Sequence, residues 1–202
     1  MMMTIALPTG KLYKKSVEIL RGAGLYAEGL SEPARRLIFE GCGRFILVKP
    51  ADVAVYVENG AADIGIVGSD VLEETARQVC ELFDLGFGAC RLVMAAPAPA
   101  RELEEYNNRR VATKYPNQAR DFFFEHCMEM EYVKLNGSIE LAPLIGMTHC
   151  IVDIVETGTT LRENGLVEIA TIKKCSARLI ANRVSYKFFY RHDINALLER
   201  LK

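Results

Sequence analysis

Short apolar runs bounded by turn residues alternate along this chain with stretches whose apolar positions recur at helical spacing, the pattern of strands joined by crossover helices. Residues 3–7 predict a first strand and 12–21 the helix after it, closed by Gly22 and Gly24. Residues 45–48 and 64–67 predict further buried strands, separated by a short helix from Asp52 to about Glu58. After the segment 81–85, the run 91–95 predicts another strand, and Pro97-Ala98-Pro99 then interrupts the pattern at a candidate lobe boundary. The theme repeats with a strand at 111–113, a helix at 117–127, a strand at 132–135, a helix from Ile139 and an apolar strand at 150–155. Beyond Leu166, residues 169–172 and 179–181 predict strands, and 194–201 an amphipathic helix with Ile194, Leu197, Leu198 and Leu201 on one face.

The expected architecture is α/β in two lobes. Lobe I takes residues 1–91 and is completed by 171–202; lobe II takes 92–170. Two crossings between lobes make a cleft whose closure excludes water.

Composition narrows the function classes. With 202 residues, half of them hydrophobic, the chain can fill such cores without disulfide staples. No apolar run approaches the ~20 residues of a membrane span, and the N-terminus lacks the basic-then-apolar pattern of a secretory leader, so a cytoplasmic protein is expected, with no membrane partner. The six cysteines form no C-x-x-C pair, which argues against a zinc site or a thioredoxin-type centre; most are expected to be buried thiols. A formal charge of −1, with acids and bases interleaved, offers no footprint for a nucleic acid.

The sharpest chemical signal is the strand 150–155 running into Glu156-Thr157-Gly158-Thr159-Thr160-Leu161. Gly158 lets the backbone approach a phosphate, the threonine hydroxyls donate to its oxygens, and a following helix offers free N–H groups. Asp153 and Glu156 are suited to accept hydrogen bonds from vicinal ribose hydroxyls. A plain helix cap with solvent-facing acids accounts for the same residues. A second strand-to-helix turn, Leu7-Pro8-Thr9-Gly10-Lys11-Leu12, carries a glycine and a cation but is not a Walker A loop, because the upstream glycine is missing and leucine follows Lys11. It is either an anion-contacting turn or an ordinary connection. Arg35, Arg36, Lys49, Arg91 and Lys114 are further candidate cations, with Lys49 and Arg91 set apart by standing at ends of apolar strands. His126, His149 and His192 share no ligand spacing, and no nucleophile elbow is present, so no covalent mechanism is indicated.

Together these segments resemble the catalytic subunit of ATP phosphoribosyltransferase over essentially the whole chain. The resemblance is carried in order by Ala6-Leu7-Pro8-Thr9-Gly10-Lys11-Leu12, Arg36-Leu37-Ile38, Ile46-Leu47-Val48-Lys49-Pro50-Ala51-Asp52-Val53 and Gly60-Ala61-Ala62-Asp63-Ile64-Gly65-Ile66-Val67-Gly68. It continues through Cys90-Arg91-Leu92, Tyr115-Pro116-Asn117, Asn136-Gly137-Ser138-Ile139-Glu140-Leu141-Ala142-Pro143 and Asp153-Ile154-Val155-Glu156-Thr157-Gly158-Thr159-Thr160-Leu161. Lys49 stands where many members have arginine, Ala54 where proline is frequent, and Ser69 where a lysine or other longer residue is common.

The resemblance implies a two-lobed fold like that of type II periplasmic binding proteins and the first step of histidine biosynthesis. In that reaction N1 of ATP displaces pyrophosphate from phosphoribosyl pyrophosphate with inversion. It implies Mg²⁺ held through substrate phosphates and ribose hydroxyls, with no dedicated protein metal ligands. Lys11, Arg36 and Lys49 are then the catalytic cations facing pyrophosphate or ATP phosphates, with Thr9, Gly10 and Arg91 as further substrate contacts. Thr157, Gly158, Thr159, Thr160 and Leu161 hold the 5′-phosphate, and Asp153 and Glu156 the ribose hydroxyls. The chain length leaves no room for the regulatory domain of long members, so the short form is expected: a homodimer within a hetero-octamer, with a histidyl-tRNA-synthetase-like regulatory subunit. A solute-binding protein of the same fold, or a phosphoribosyltransferase for another base, are the competing readings.

Overall fold

The computed structural model describes residues 2–201. They form two compact units, one running as far as Gly88 and resuming at Ser176, the other Ala89–Cys175. In chain order the first unit opens with β1 (Thr4–Pro8), α1 (Tyr13–Gly22), β2 (Ile38–Glu40), β3 (Arg44–Val48), α2 (Val53–Glu58), β4 (Ile64–Gly68), α3 (Ser69–Thr75) and β5 (Cys80–Asp84). The second contains β6 (Cys90–Pro97), β7 (Arg109–Thr113), α4 (Pro116–Glu125), β8 (Met130–Lys134), α5 (Leu141–Leu144), β9 (Cys150–Val155), α6 (Thr159–Glu163) and β10 (Leu166–Cys175). The chain then returns to the first unit as β11 (Ala177–Ala181) and α7 (Arg191–Leu201).

The first sheet has the order β2-β3-β1-β4-β11-β5, the second β10-β6-β9-β7-β8. Within each, three parallel strands are wired alike: β3-β1-β4 in one, β8-β7-β9 in the other, the first-formed strand lying in the middle. Each trio is extended past its third strand by an antiparallel one, β11 beside β4 and β6 beside β9.

Both faces of each sheet are covered, which is why the central strands read as continuous apolar runs: every residue of β4 is buried. Helix α1 has Tyr13, Ser16, Val17 and Leu20 on one stripe, and Ser16 satisfies its hydroxyl on the Leu12 carbonyl at 2.8 Å. That stripe packs with Ile5, Leu7, Phe45, Ile64, Ile66 and α7 residues Ile194 and Leu197. Full burial of a side chain such as Phe45 or Leu20 contributes roughly 1.5–3 kcal/mol. On the other face Val53, Ala54 and Val57 of α2 meet Ala6, Val67 and Ile180. Gly65 permits that approach, since a β-carbon there would lie 2.8 Å from Val53 Cγ1 and 2.9 Å from Val57 Cγ2. In the second unit Phe122, Phe123 and Ala119 of α4 cover one face, and Ile139, Ala142 and Leu161 cover the other.

Several expectations are corrected. Pro97-Ala98-Pro99 is no unit boundary: Pro97 closes β6, inside the second unit. The division falls a few residues from 91/92 and 170/171 because β6 and β10 pair from Leu166↔Pro97 to Cys175↔Cys90, keeping Arg91 and residues 171–175 in the second unit. Of the six cysteines only Cys150 and Cys175 are buried; Cys42 and Cys127 are exposed and Cys80 and Cys90 intermediate. β2 and α3 have no counterpart among the expected elements.

Candidate active site

In the second sheet the chain leaves β7 for β8 on one side while β9 lies on the other, so the carboxyl ends of β7 and β9 flank a topological switch point. Ligands of open α/β sheets collect at such points. The register Thr113↔Val152 brings the segment after β7, Lys114 and Tyr115, alongside the final residues of β9 and the turn that follows.

That turn is built by Gly158, whose φ of +75° lies in the left-handed region, and by Leu161, whose buried side chain anchors it against Val155 and Leu166. The anchor leaves Thr157, Thr159 and Thr160 exposed. Thr157 and Thr159 hydroxyls lie 3.0 Å apart, and the Thr159 N–H donates to Thr157 Oγ1 at 3.4 Å. The hydroxyls thus converge ahead of α6.

Asp153, in the half-buried stretch of β9, accepts the Ile154 N–H at 2.8 Å. Burial pushes its carboxyl up to about 6; the Ile154 N–H opposes the shift, Glu140 adds to it and Lys114 opposes it. A carboxyl titrating there is poised between proton donor and acceptor near neutrality. Glu156 follows the strand and is exposed.

Arg91 is the second residue of β6, yet stands beside the carboxyl end of β9 because the two strands are antiparallel, with Arg91 opposite Val155. Its guanidinium forms a bidentate pair with Glu168, at 2.6 and 2.9 Å, and also reaches Thr171 Oγ1 at 3.3 Å. Arg162, on α6, donates to the Thr157 carbonyl at 3.1 Å and to Thr159 Oγ1 at 3.2 Å. A β-carbon on Gly158 would lie 3.2 Å from Arg162 Nη1 and 3.4 Å from Glu168 Oε1. Arg162, Glu168 and Glu140 are absent from the sequence-based set. The available signals were a cation two residues past the Gly-Thr-Thr stretch and a lone acid within the apolar run 166–169.

The first unit gathers the other candidates at one sheet edge. Thr9, Gly10 and Lys11 follow β1, and Lys49 follows β3, in register Pro8↔Val48, with the Thr9 N–H on the Val48 carbonyl at 2.8 Å. Gly10 turns the chain with φ +85°. Arg36 precedes Leu37, whose carbonyl accepts the Leu47 N–H at 2.8 Å, so Arg36 comes to the same edge at the start of antiparallel β2. Arg36 Nε donates to the Ile38 carbonyl at 2.7 Å, and its guanidinium lies 4.8 Å from the Phe39 ring centre. Lys11, Arg36 and Lys49 are all exposed.

Among the described residues no three His, Cys, Asp or Glu side chains converge as metal ligands, and no helix is long and apolar enough to cross a membrane.

The ATP phosphoribosyltransferase family profile matches residues 49–202. The ATP phosphoribosyltransferase of Moorella thermoacetica is 49% identical over 211 aligned positions, covering 100% of this chain and 92% of that protein. The chain belongs to the ATP phosphoribosyltransferase family. The homologous enzyme of Desulfitobacterium hafniense is 48% identical, across 99% of this chain and 95% of its own. The structure of the ATP phosphoribosyl transferase (HisG:HisZ) complex from Thermotoga maritima superposes with a TM-score of 0.85 at 33% identity, over 99% of this chain and 96% of that one. The periplasmic aliphatic sulphonate binding protein SsuA of Escherichia coli, at 10% identity and TM-score 0.61 over 98% of this chain and 68% of its own, shares the fold alone.

Proposed function

We propose that this chain forms phosphoribosyl-ATP from ATP and phosphoribosyl pyrophosphate, with the carboxyl edge of the second sheet holding the sugar phosphate. Family membership supplies the reaction class, a pentosyl transfer that opens histidine biosynthesis. The observation that carries the residue assignment is the convergence of the Thr157 and Thr159 hydroxyls on a left-handed Gly158 turn, which begins four residues beyond a half-buried Asp153.

In this reading Thr157, Gly158, Thr159 and Thr160 bind the 5′-phosphate, Leu161 anchors the turn, and Asp153 and Glu156 accept the ribose hydroxyls. N1 of adenine forms its bond to the anomeric carbon as the bond to pyrophosphate breaks, the electron pair leaving on the pyrophosphate oxygen. The substrate supplies its own nucleophile, so the protein's part is orientation and charge. Lys11, Arg36 and Lys49, with Thr9 and Gly10, meet the anionic phosphates, Lys49 as a point charge without arginine's fork.

The oxygen donors Asp153 and Glu156 suit a hard cation such as Mg²⁺, bound mainly through substrate phosphates and ribose hydroxyls. When bound, Mg²⁺ neutralises charge on the leaving pyrophosphate. The Thermotoga maritima complex supports a regulatory partner of the same type for this chain, resembling histidyl-tRNA synthetase, with homodimers assembled into a hetero-octamer. The proposed setting is the cytoplasm.

An absorbance assay for phosphoribosyl-ATP, with ATP, phosphoribosyl pyrophosphate and Mg²⁺, tests the reading with and without the partner. Product establishes the transfer, and a partner-dependent gain or sensitivity to histidine establishes the regulated assembly. Binding of the sugar phosphate without product, even with the partner present, would leave a solute-binding protein.

A further inference from the structure

Two charged side chains, Arg162 and Glu168, lie against Gly158, a third, Arg91, is tied to Glu168, and the hydrogen bonds of the two arginines divide the work unequally. Arg91 commits both terminal nitrogens to Glu168 and one of them also to Thr171, on the neighbouring strand β10. Glu168 in turn sits close to the turn, 3.4 Å from where a Gly158 β-carbon would be. Left uncompensated, that carboxylate would repel any phosphate settling on the threonine hydroxyls. Paired at 2.6 Å with Arg91, it is neutralised, and the guanidinium is correspondingly occupied.

Arg162 is differently placed. Two of its five N–H donors reach the turn itself, the Thr157 carbonyl and Thr159 Oγ1. The guanidinium is therefore positioned by the elements that would grip a phosphate, with donors to spare. Thr159 Oγ1 accepts from Arg162 and lies 3.0 Å from Thr157 Oγ1, so whichever hydroxyl donates in that pair, the other keeps its hydrogen for an arriving anion.

We infer that Arg162 is a further substrate-binding residue, its guanidinium recognising the terminal phosphate monoester of the sugar, while Arg91 acts as a positioning residue that neutralises Glu168. The inference rests on assigning the 157–161 turn as the sugar-phosphate site. It reassigns the local cation: Arg91, the arginine conspicuous in sequence, serves the acid, and Arg162 serves the ligand. The chemical class recognised is a phosphate monoester on a pentose, held by a planar fork that matches two of its oxygens.

The test is calorimetric titration of the full chain, with Mg²⁺, against ribose 5-phosphate and separately against pyrophosphate, for the parent, Arg162→Ala and Arg162→Lys. Arg162→Ala should weaken ribose 5-phosphate by ~10–100-fold, the scale of a lost charge-assisted hydrogen-bond pair, and leave pyrophosphate unchanged. Arg162→Lys should restore only part, because lysine brings charge without the fork. In steady-state assays the loss should appear in KM for phosphoribosyl pyrophosphate rather than in kcat, since a remote phosphate is gripped alike in ground and transition states. Parental affinity for ribose 5-phosphate in Arg162→Ala would overturn the inference while leaving the turn assignment standing. A parent chain that binds pyrophosphate but ignores ribose 5-phosphate would instead overturn the turn assignment, and the inference with it.

Discussion

Arg91 faces Val155 across the antiparallel β6/β9 ladder, so a residue at the beginning of one strand meets the last residue of the next. This reversal puts a guanidinium at the ligand edge of a sheet without the chain needing a loop there. It also puts Arg91 within reach of Glu168 on the far side of β6.

Removing Arg91 should therefore act through Glu168. Arg91→Ala is expected to raise KM for phosphoribosyl pyrophosphate by roughly tenfold, as a bared carboxylate confronts the phosphate. The double variant Arg91→Ala with Glu168→Gln should recover much of that loss. Additive losses in the double variant would show that Arg91 binds substrate directly. The pair is about a third exposed on each side, where solvent screens an ion pair, so breaking it should leave the melting temperature nearly unmoved.

The raised Asp153 carboxyl gives a pH dependence of definite sign. The unfolded chain releases this proton near 3.8, the folded chain at about 6, so between those values the folded state binds the proton more. Its contribution to stability accordingly falls as pH rises through that window and stays flat above it. Asp153→Asn should leave stability little changed near pH 4 and raise it above pH 6, by about 1–3 kcal/mol. The same variant should bind the sugar less well, because an amide replaces only part of a carboxylate's acceptor capacity. Melting curves of both proteins at about pH 4 and pH 7.5 check the first statement, and equal gaps at the two pH values would refute it.

Gly158 occupies a backbone conformation that an L-residue enters at a cost of roughly 1–2 kcal/mol. Gly158→Ala would also set its methyl 3.2 Å from Arg162 Nη1, forcing the guanidinium aside. Ribose 5-phosphate affinity should fall together with the melting temperature, and calorimetry beside thermal denaturation measures both. A variant that melts early but binds normally would divorce the turn's conformation from its ligand.

Much of this was readable from residue order, for identifiable reasons. Strands such as β4 and β9 are buried on both faces and announce themselves as apolar runs, and the Gly158 turn shows its chemistry in its side chains. β10 was legible only at 169–172 because its ladder with β6 slips between Glu168 and Ala170 and again between Thr171 and Lys173, destroying the two-residue alternation. β2 is three residues long, with two of them exposed, too little for any period to register. Pro97 looked like a boundary since proline breaks ladders, but a strand's last residue tolerates it. Arg162 and Glu168 escaped because an arginine on a short helix and an acid on an exposed strand are ordinary until hydrogen bonds tie them to the turn.

Packing in the first unit offers a test independent of substrate. Gly65→Ala would press a methyl into Val53 and Val57, branched side chains with little freedom to yield. A loss of about 1–3 kcal/mol is expected, read as a lowered denaturation midpoint with the ribose 5-phosphate site unaffected.

The position of β11 bears on how the chain is made. It inserts between β4 and β5, yet lies past the whole second unit in sequence, so the sheet begun first at the ribosome is completed last. Residues 89–175 can close their own ladder while β4 and β5 still wait with unpaired edges. A nascent chain halted before Ala177 would carry one finished sheet and one split one, and would be the species that chaperones and proteases see.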